Sequence, residues 1–130
     1  MREAEINVRT AQIVDAAMKV HSFLGPGLLE SAYEGCLAYE LRERGLRVEQ
    51  QVGLPVTYRG VKLDLGYRID LLVEDTVIVE LKAVTRTVPL FDAQLFSYMK
   101  LSGHPVGLLI NFHVNHLKDG IKRIVLNLEA

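Results

Sequence analysis

A chain of 130 residues, 49% hydrophobic and with a formal charge of −1, can bury one core but lacks the basic excess that holds nucleic acid by bulk electrostatics. Its single cysteine, Cys36, excludes an intramolecular disulfide and accords with a reducing cytoplasm. No stretch is apolar enough to span a bilayer or act as a signal peptide, and no linker or repeat interrupts the chain. Residues 1–130 are therefore expected to form a single soluble domain without membrane association.

Ile6, Ile13, Val14, Ala17, Met18, His21 and Leu24 recur at helical intervals, and Gly25-Pro26-Gly27 ends the stripe. Pro26 suits a first helical turn, so a second helix is predicted from there to Gly45, with Leu29, Ala32, Tyr33, Cys36, Leu37 and Leu41 as its core face. Period-two patterning then predicts a strand from Arg47 to Tyr58, a turn at Arg59-Gly60, and two arms, YRIDLLV and VIVELKA, that complete a three-stranded meander. Pro89 opens a third helix and Gly103 closes it, with Phe91, Leu95, Tyr98 and Leu101 inward; Gln94 lies one turn before Tyr98, so both polar tips reach one ligand or bond each other. Val106 to Phe112 reads as a strand covered on both faces and Ile121 to Leu128 as a terminal edge strand. The predicted order is α-α-β-β-β-α-β-β, a mixed sheet flanked by helices in the α/β (α+β) class.

The run RIDLLVEDTVIVELKA plants Asp70, Glu80 and Lys82 in otherwise apolar strands. If the hairpin turn centres on Asp75, Asp70 stands opposite Glu80, with β-carbons about 5 Å apart. Bare carboxylates about 4 Å apart repel by roughly 1 kcal/mol in water and about 4 kcal/mol at an effective dielectric near 20. A positive charge is needed there. A hard cation such as Mg2+ fits, because it is held by one or two carboxylates and keeps water and phosphate oxygens as further ligands. The plainer alternative is a surface ion pair with Lys82 or Arg68. Glu30 falls within about 20° of Leu37 on the helical wheel, on the arc facing the core. It is either a first-turn acid favoured by the helix dipole or a third carboxylate at the same metal.

Gly27-x-x-Glu30-x-x-Tyr33, followed in order by RID, VELK, QLFSY, GLLINF and LKDGIKRIV, resembles the GxxExxY family of the PD-(D/E)XK nuclease-like superfamily over almost the whole chain. The resemblance implies a restriction-endonuclease-like core with Mg2+ or Mn2+ held by Asp70, Glu80, the Leu81 backbone carbonyl and Glu30, and Lys82 as the lysine two residues past the second acid. Ile69 stands where the superfamily name would put proline. Gln94 and Tyr98 match a helix motif that faces the nucleic-acid backbone, and Tyr33, Lys122 and Arg123 join them as candidates for positioning substrate. His21 is a candidate further ligand, since some relatives place a histidine ahead of the aspartate, and imidazole favours Mn2+.

These residues imply a metal-dependent nuclease hydrolysing phosphodiester bonds of nucleic acid, DNA rather than RNA. The cation would activate water for in-line attack, and Lys82 would orient or deprotonate that water and stabilise the transition state. The rival reading is a nuclease-fold binding or regulatory subunit with little or no activity. The expected setting is cytoplasmic, as a homodimer or within a larger repair or defence complex.

Overall fold

The computed structural model describes residues 3–126. Two helices lead, α1 (Glu3–Leu24) and α2 (Glu30–Glu43), followed by strands β1 (Val48–Gly53), β2 (Val56–Tyr58), β3 (Val61–Leu63), β4 (Arg68–Val73) and β5 (Val77–Lys82). Helix α3 (Pro89–Ser102), strand β6 (Val106–Asn111), a 3-10 turn at Leu117–Gly120 and strand β7 (Ile121–Val125) complete the described chain. Five strands form one mixed sheet in the order β1-β4-β5-β6-β7, and β2 and β3 form a separate two-stranded ribbon. Among the described residues, only β5 and β6 pair in parallel. Parallel strands need a crossover, and α3 is that crossover. This is the mixed α/β, restriction-endonuclease-like architecture expected from the sequence.

The sheet separates two apolar layers. On one side α1 and α2 contribute Ile6, Ile13, Tyr33, Leu37 and Leu41, which meet Leu71, Val73, Val77, Val79 and Leu81. On the other, Leu95, Tyr98 and Met99 of α3 meet Leu72, Ile78 and Leu109. Fully burying such aliphatic side chains contributes about 1.5–3 kcal/mol each. Every residue of β6 is buried, as its unbroken apolar run requires of a strand covered on both faces.

The residues between Arg47 and Tyr58 depart from the single predicted strand. Pro55 cannot donate to a ladder, so the chain breaks after Gly53 and resumes as β2. Arg59 and Gly60, with φ of 51° and 81°, make the tight turn into β3, which inserts a small hairpin into the meander. Helix α2 starts at Glu30 rather than Pro26, because Gly27 at φ 106° is far from helical backbone. Cys36, expected in the core, is exposed. On α3, Met99 is buried beside the expected Leu95 and Tyr98, while Leu101 is 43% exposed. The predicted last strand ends at Val125; Asn127 and Leu128 lie outside the described residues.

The turn joining β4 to β5 has the odd length that sets the site. Glu74 and Asp75 both lie at φ 53°, Thr76 N–H donates to the Val73 carbonyl at 3.1 Å, and Val73 pairs with Val77. The pairs Leu72 with Ile78 and Leu71 with Val79 continue that register toward Asp70 and Glu80.

Helix α3 sits hard against β6 at Gly107, where a β-carbon would stand 2.8 Å from Leu95 Cδ1 and 2.8 Å from Met99 Sδ. Gly107→Val is therefore expected to destabilise the fold by about 1–3 kcal/mol through overpacking. Urea unfolding of the two proteins measures this, and equal midpoints would show that α3 has room to move.

Candidate active site

At Asp70 the backbone ladder between β4 and β5 gives way to side chains. Asp70 N–H donates to Glu80 Oε1 at 3.1 Å, and Leu81 N–H donates to Asp70 Oδ2 at 2.9 Å. Each carboxylate thus bonds the other strand's backbone, and the strands part around the two acids. The acids do converge, but not as the flat cross-strand pair that alternation predicts. Leu71 packs on the α1/α2 side while Ile69, two residues before it, packs on the α3 side. The strand therefore twists at Asp70, so the aspartate points sideways toward β5.

A residue's N–H and C=O leave a strand on the same side. With its N–H on Asp70, Leu81 turns its carbonyl into the same split between strands. Two carboxylates and a backbone carbonyl are hard oxygen donors of the kind that suit a small divalent cation. Among the described residues, no group of three or more His, Cys, Asp or Glu side chains is gathered closely enough to hold a metal. The side chains that could share one ion are the paired carboxylates of Asp70 and Glu80.

The electrostatics fit such an ion. Glu80 is only 6% exposed. Burial, and then the adjacent Asp70 charge, push its carboxyl up to about 8, against the bonds from Asp70 N–H and the attraction of Lys82. A carboxylate so disfavoured needs a neighbouring positive charge, or it takes up a proton.

Glu30 stands at the start of α2, within electrostatic reach of Lys82 and Asp70. Its carboxyl is raised, chiefly by desolvation and then by Asp70 and Glu34, with Lys82 opposing. It borders the cluster without joining Asp70 and Glu80 as a third close ligand. Lys82 lies between these acids and the ring of Phe91, its Nζ 4.4 Å from the ring centroid. From the opposite layer, Gln94 Nε2 donates to the Tyr98 hydroxyl at 3.1 Å. Burial, and then the charges of Glu80, Tyr67 and Asp70, push the Tyr98 hydroxyl above its ordinary pKa, against the bond from Gln94.

Other predicted residues lie elsewhere. Tyr33 is fully buried, stacked on Phe112 at 4.4 Å; its hydroxyl donates to the Gly25 carbonyl at 2.6 Å and accepts from Leu28 N–H at 3.2 Å. It staples the glycine-rich turn that delivers Glu30 and has no face for substrate. His21 Nε2 bonds the Val114 carbonyl at 2.7 Å, away from the acids. Lys122 pairs with Asp92 of α3, and Arg123, the next residue on the edge strand β7, alternates to the other face. Neither adjoins Lys82 on the sheet, because β6 intervenes.

Gln51 went unnoticed in the sequence, as a lone glutamine in a polar strand gives no signal. It lies at φ 52° within β1, a conformation that costs a non-glycine residue of order 1 kcal/mol or more. Its Nε2 donates to Glu34 Oε1 at 2.6 Å and to Asp70 Oδ1 at 3.2 Å, so it ties α2 to the aspartate. A larger concavity of about 650 Å3 between α1 and α2, lined by Phe23, Cys36 and Tyr39, includes neither the acids nor Lys82.

Two outcomes follow. Because Glu80 is raised to about 8, its stabilising contribution in chelator is complete below its unfolded value near 4.5 and is lost as pH rises through about 8. Glu80→Gln keeps the shape without the charge, so it should match wild type near pH 4.5 and exceed it at pH 8 by on the order of a few kcal/mol; saturating Mn2+ should stabilise wild type alone. Melting curves across pH decide it, and a pH-independent gap would contradict the buried charge. Gln51→Asn, which tolerates positive φ but is too short to span Glu34 and Asp70, should keep the fold and weaken Mn2+ binding by about 10-fold or more, as loss of a residue supporting a ligand does. Calorimetric titration measures this.

No curated protein and no solved structure matches the chain. A family match covers residues 7–124, spanning every element from α1 to β7 except the first turn of α1 and the last residue of β7, and its description is the PD-(D/E)XK nuclease superfamily. The acids parting β4 from β5, the lysine two residues beyond Glu80 and the mixed sheet between helical layers agree with that match: the chain belongs to the PD-(D/E)XK nuclease superfamily.

Proposed function

We propose that this protein is a divalent-metal-dependent nuclease of the GxxExxY branch, hydrolysing phosphodiester bonds of DNA in the cytoplasm. The observation that carries the proposal is the crossed pair of bonds by which Asp70 and Glu80 displace the β4–β5 ladder and hold two carboxylates together at a buried position. Such an arrangement is costly for a structural role and suited to a cation. Mg2+ or Mn2+ between Asp70, Glu80 and the Leu81 carbonyl would supply the charge that neutralises a phosphate and acidifies water.

The chain's own groups do the rest. Lys82 is poised between the acids and Phe91, where its ammonium orients the attacking water by hydrogen bonding and neutralises charge building on the phosphate oxygens. Glu30, close enough to feel Lys82, holds that ammonium toward the split strands and can take a proton through water. Gln94 and Tyr98 fix the substrate from the α3 side. Glu80, pushed up to about 8 by burial and then by the neighbouring Asp70 charge, is the acid whose proton must leave before a cation is bound. Activity should therefore rise with pH through the neutral range.

Retention of both acids and the lysine favours hydrolysis over a binding-only subunit. A second copy or a larger repair or defence complex would supply further surface for substrate. The test is incubation of the purified protein with Mg2+ or Mn2+ and labelled single-stranded, duplex and branched DNA, or RNA. Cleavage is expected to need the metal and to fall at least 100-fold in both Asp70→Ala and Lys82→Ala. Cleavage that survives both substitutions would end the enzyme reading, and metal binding without turnover would assign the chain to the regulatory class.

A further inference from the structure

A groove of about 530 Å3 opens beside Lys82, between α3 and the segment around the small hairpin. Its volume is that of a small-molecule site, roughly 300–1,000 Å3. Three aromatic rings line it. Tyr67 and Tyr98 meet edge to face, centroids 5.9 Å apart at 60°, and Phe91 lies nearer Lys82. Val56 contributes an apolar wall. Tyr67 is 44% exposed, so its ring has surface free for a partner. Among the described residues, Gln94 and the Tyr98 hydroxyl bond each other, while the amide oxygen and the hydroxyl proton meet no protein group. An acceptor and a donor are thus left at the groove.

We propose that this groove takes an unstacked base of single-stranded nucleic acid, whose phosphate lies on Lys82 at the acids. The proposal rests on the hydrolysis reading and specifies its substrate class. Three features choose a base over an apolar peptide. Flat aromatic rings offer stacking to any base. The free acceptor and donor suit the edge of a heterocycle. The charge at the mouth is a cation that lines the groove and also borders the carboxylates, so one nucleotide can reach both. A base inside a duplex cannot enter without being unpaired and unstacked, which costs a few kcal/mol, so the geometry selects single strands and open ends.

The test uses the full chain in chelator, where cleavage is stopped, with fluorescein-labelled dT12, rU12 and a 12-base-pair blunt duplex followed by anisotropy. At least one single strand should bind about tenfold more tightly than the duplex. Tyr67→Ala should lower that affinity about tenfold, as expected for losing one stacking platform, without changing the weak duplex binding. Tyr67→Trp should retain it, a rescue that a merely structural role for Tyr67 would not produce. A preference between dT12 and rU12 reports the combined effect of the 2′-hydroxyl and the thymine methyl, and equal binding points to features the two strands share; both accord with the proposal. Duplex binding as tight as single strand, or Tyr67→Ala binding single strands like wild type, would overturn it. The hydrolysis reading fails separately, through cleavage indifferent to Asp70 and Lys82. Binding indifferent to Tyr67 beside cleavage dependent on Asp70 would discard the groove and keep the nuclease.

Discussion

Where β4 meets β5, two backbone amides that would ordinarily face carbonyls across a ladder face carboxylates instead. Asp70 N–H on Glu80 and Leu81 N–H on Asp70 keep both amides satisfied while the strands separate, so neither donor is orphaned by the opening. Hydrogen bonds to an ionised acceptor are about twice as strong as neutral ones, which offsets part of the cost of placing two acids together. What they cannot offset is the mutual repulsion and desolvation of the carboxylates, which push the Glu80 carboxyl up to about 8. That residual demand for positive charge organises everything else around the split.

Each layer of the fold sets polar side chains around the split. The α1/α2 side brings Glu30, positioned because Tyr33 clamps the Gly25 carbonyl and the Leu28 amide and so fixes the turn before α2. Glycine, glutamate and tyrosine in Gly27-x-x-Glu30-x-x-Tyr33 thus divide into a backbone that bends, an acid that is presented and a ring that holds the bend. The α3 side brings Tyr98 and Gln94, held at close range because Gly107 lets the helix settle onto β6. Strand β1 brings Gln51, whose strained backbone aims an amide at Asp70. A central strand pair alone would hold the acids; only the surrounding layers orient them.

The loop leaving β5 is held with similar economy. Asn111, at the end of β6, accepts from Val84 N–H at 3.1 Å and donates to the Val84 carbonyl at 3.0 Å, which pins the chain just past Lys82. Phe112 N–H bonds the Lys82 carbonyl at 2.9 Å. Lys82 therefore projects from a fixed backbone, and its long side chain rests on Phe91 instead of ranging through solvent. An ammonium so anchored loses less freedom when it meets a phosphate, which is how preorganisation assists both binding and chemistry.

Much of this was legible in the sequence because it is local. Helical periodicity, the Pro89 and Gly103 boundaries of α3 and the odd-length turn through Asp75 are set by neighbouring residues, and the turn carries Leu71 into register with Val79, one step short of Asp70 and Glu80. Residue type likewise announced that acids and a lysine in apolar strands need a counter-charge. Tertiary packing decided the rest. Tyr33 became a buried staple and His21 a partner of the Val114 carbonyl, since the ends of both side chains meet backbone distant from the acids. Gln51 entered the site because its strained φ is imposed by the sheet and not by its own preference. The break at Pro55 and the separate β2–β3 ribbon opened the groove beside Lys82. Side chains set which elements form; which of their polar ends meet depends on distances between elements far apart in the chain, and no local pattern encodes those.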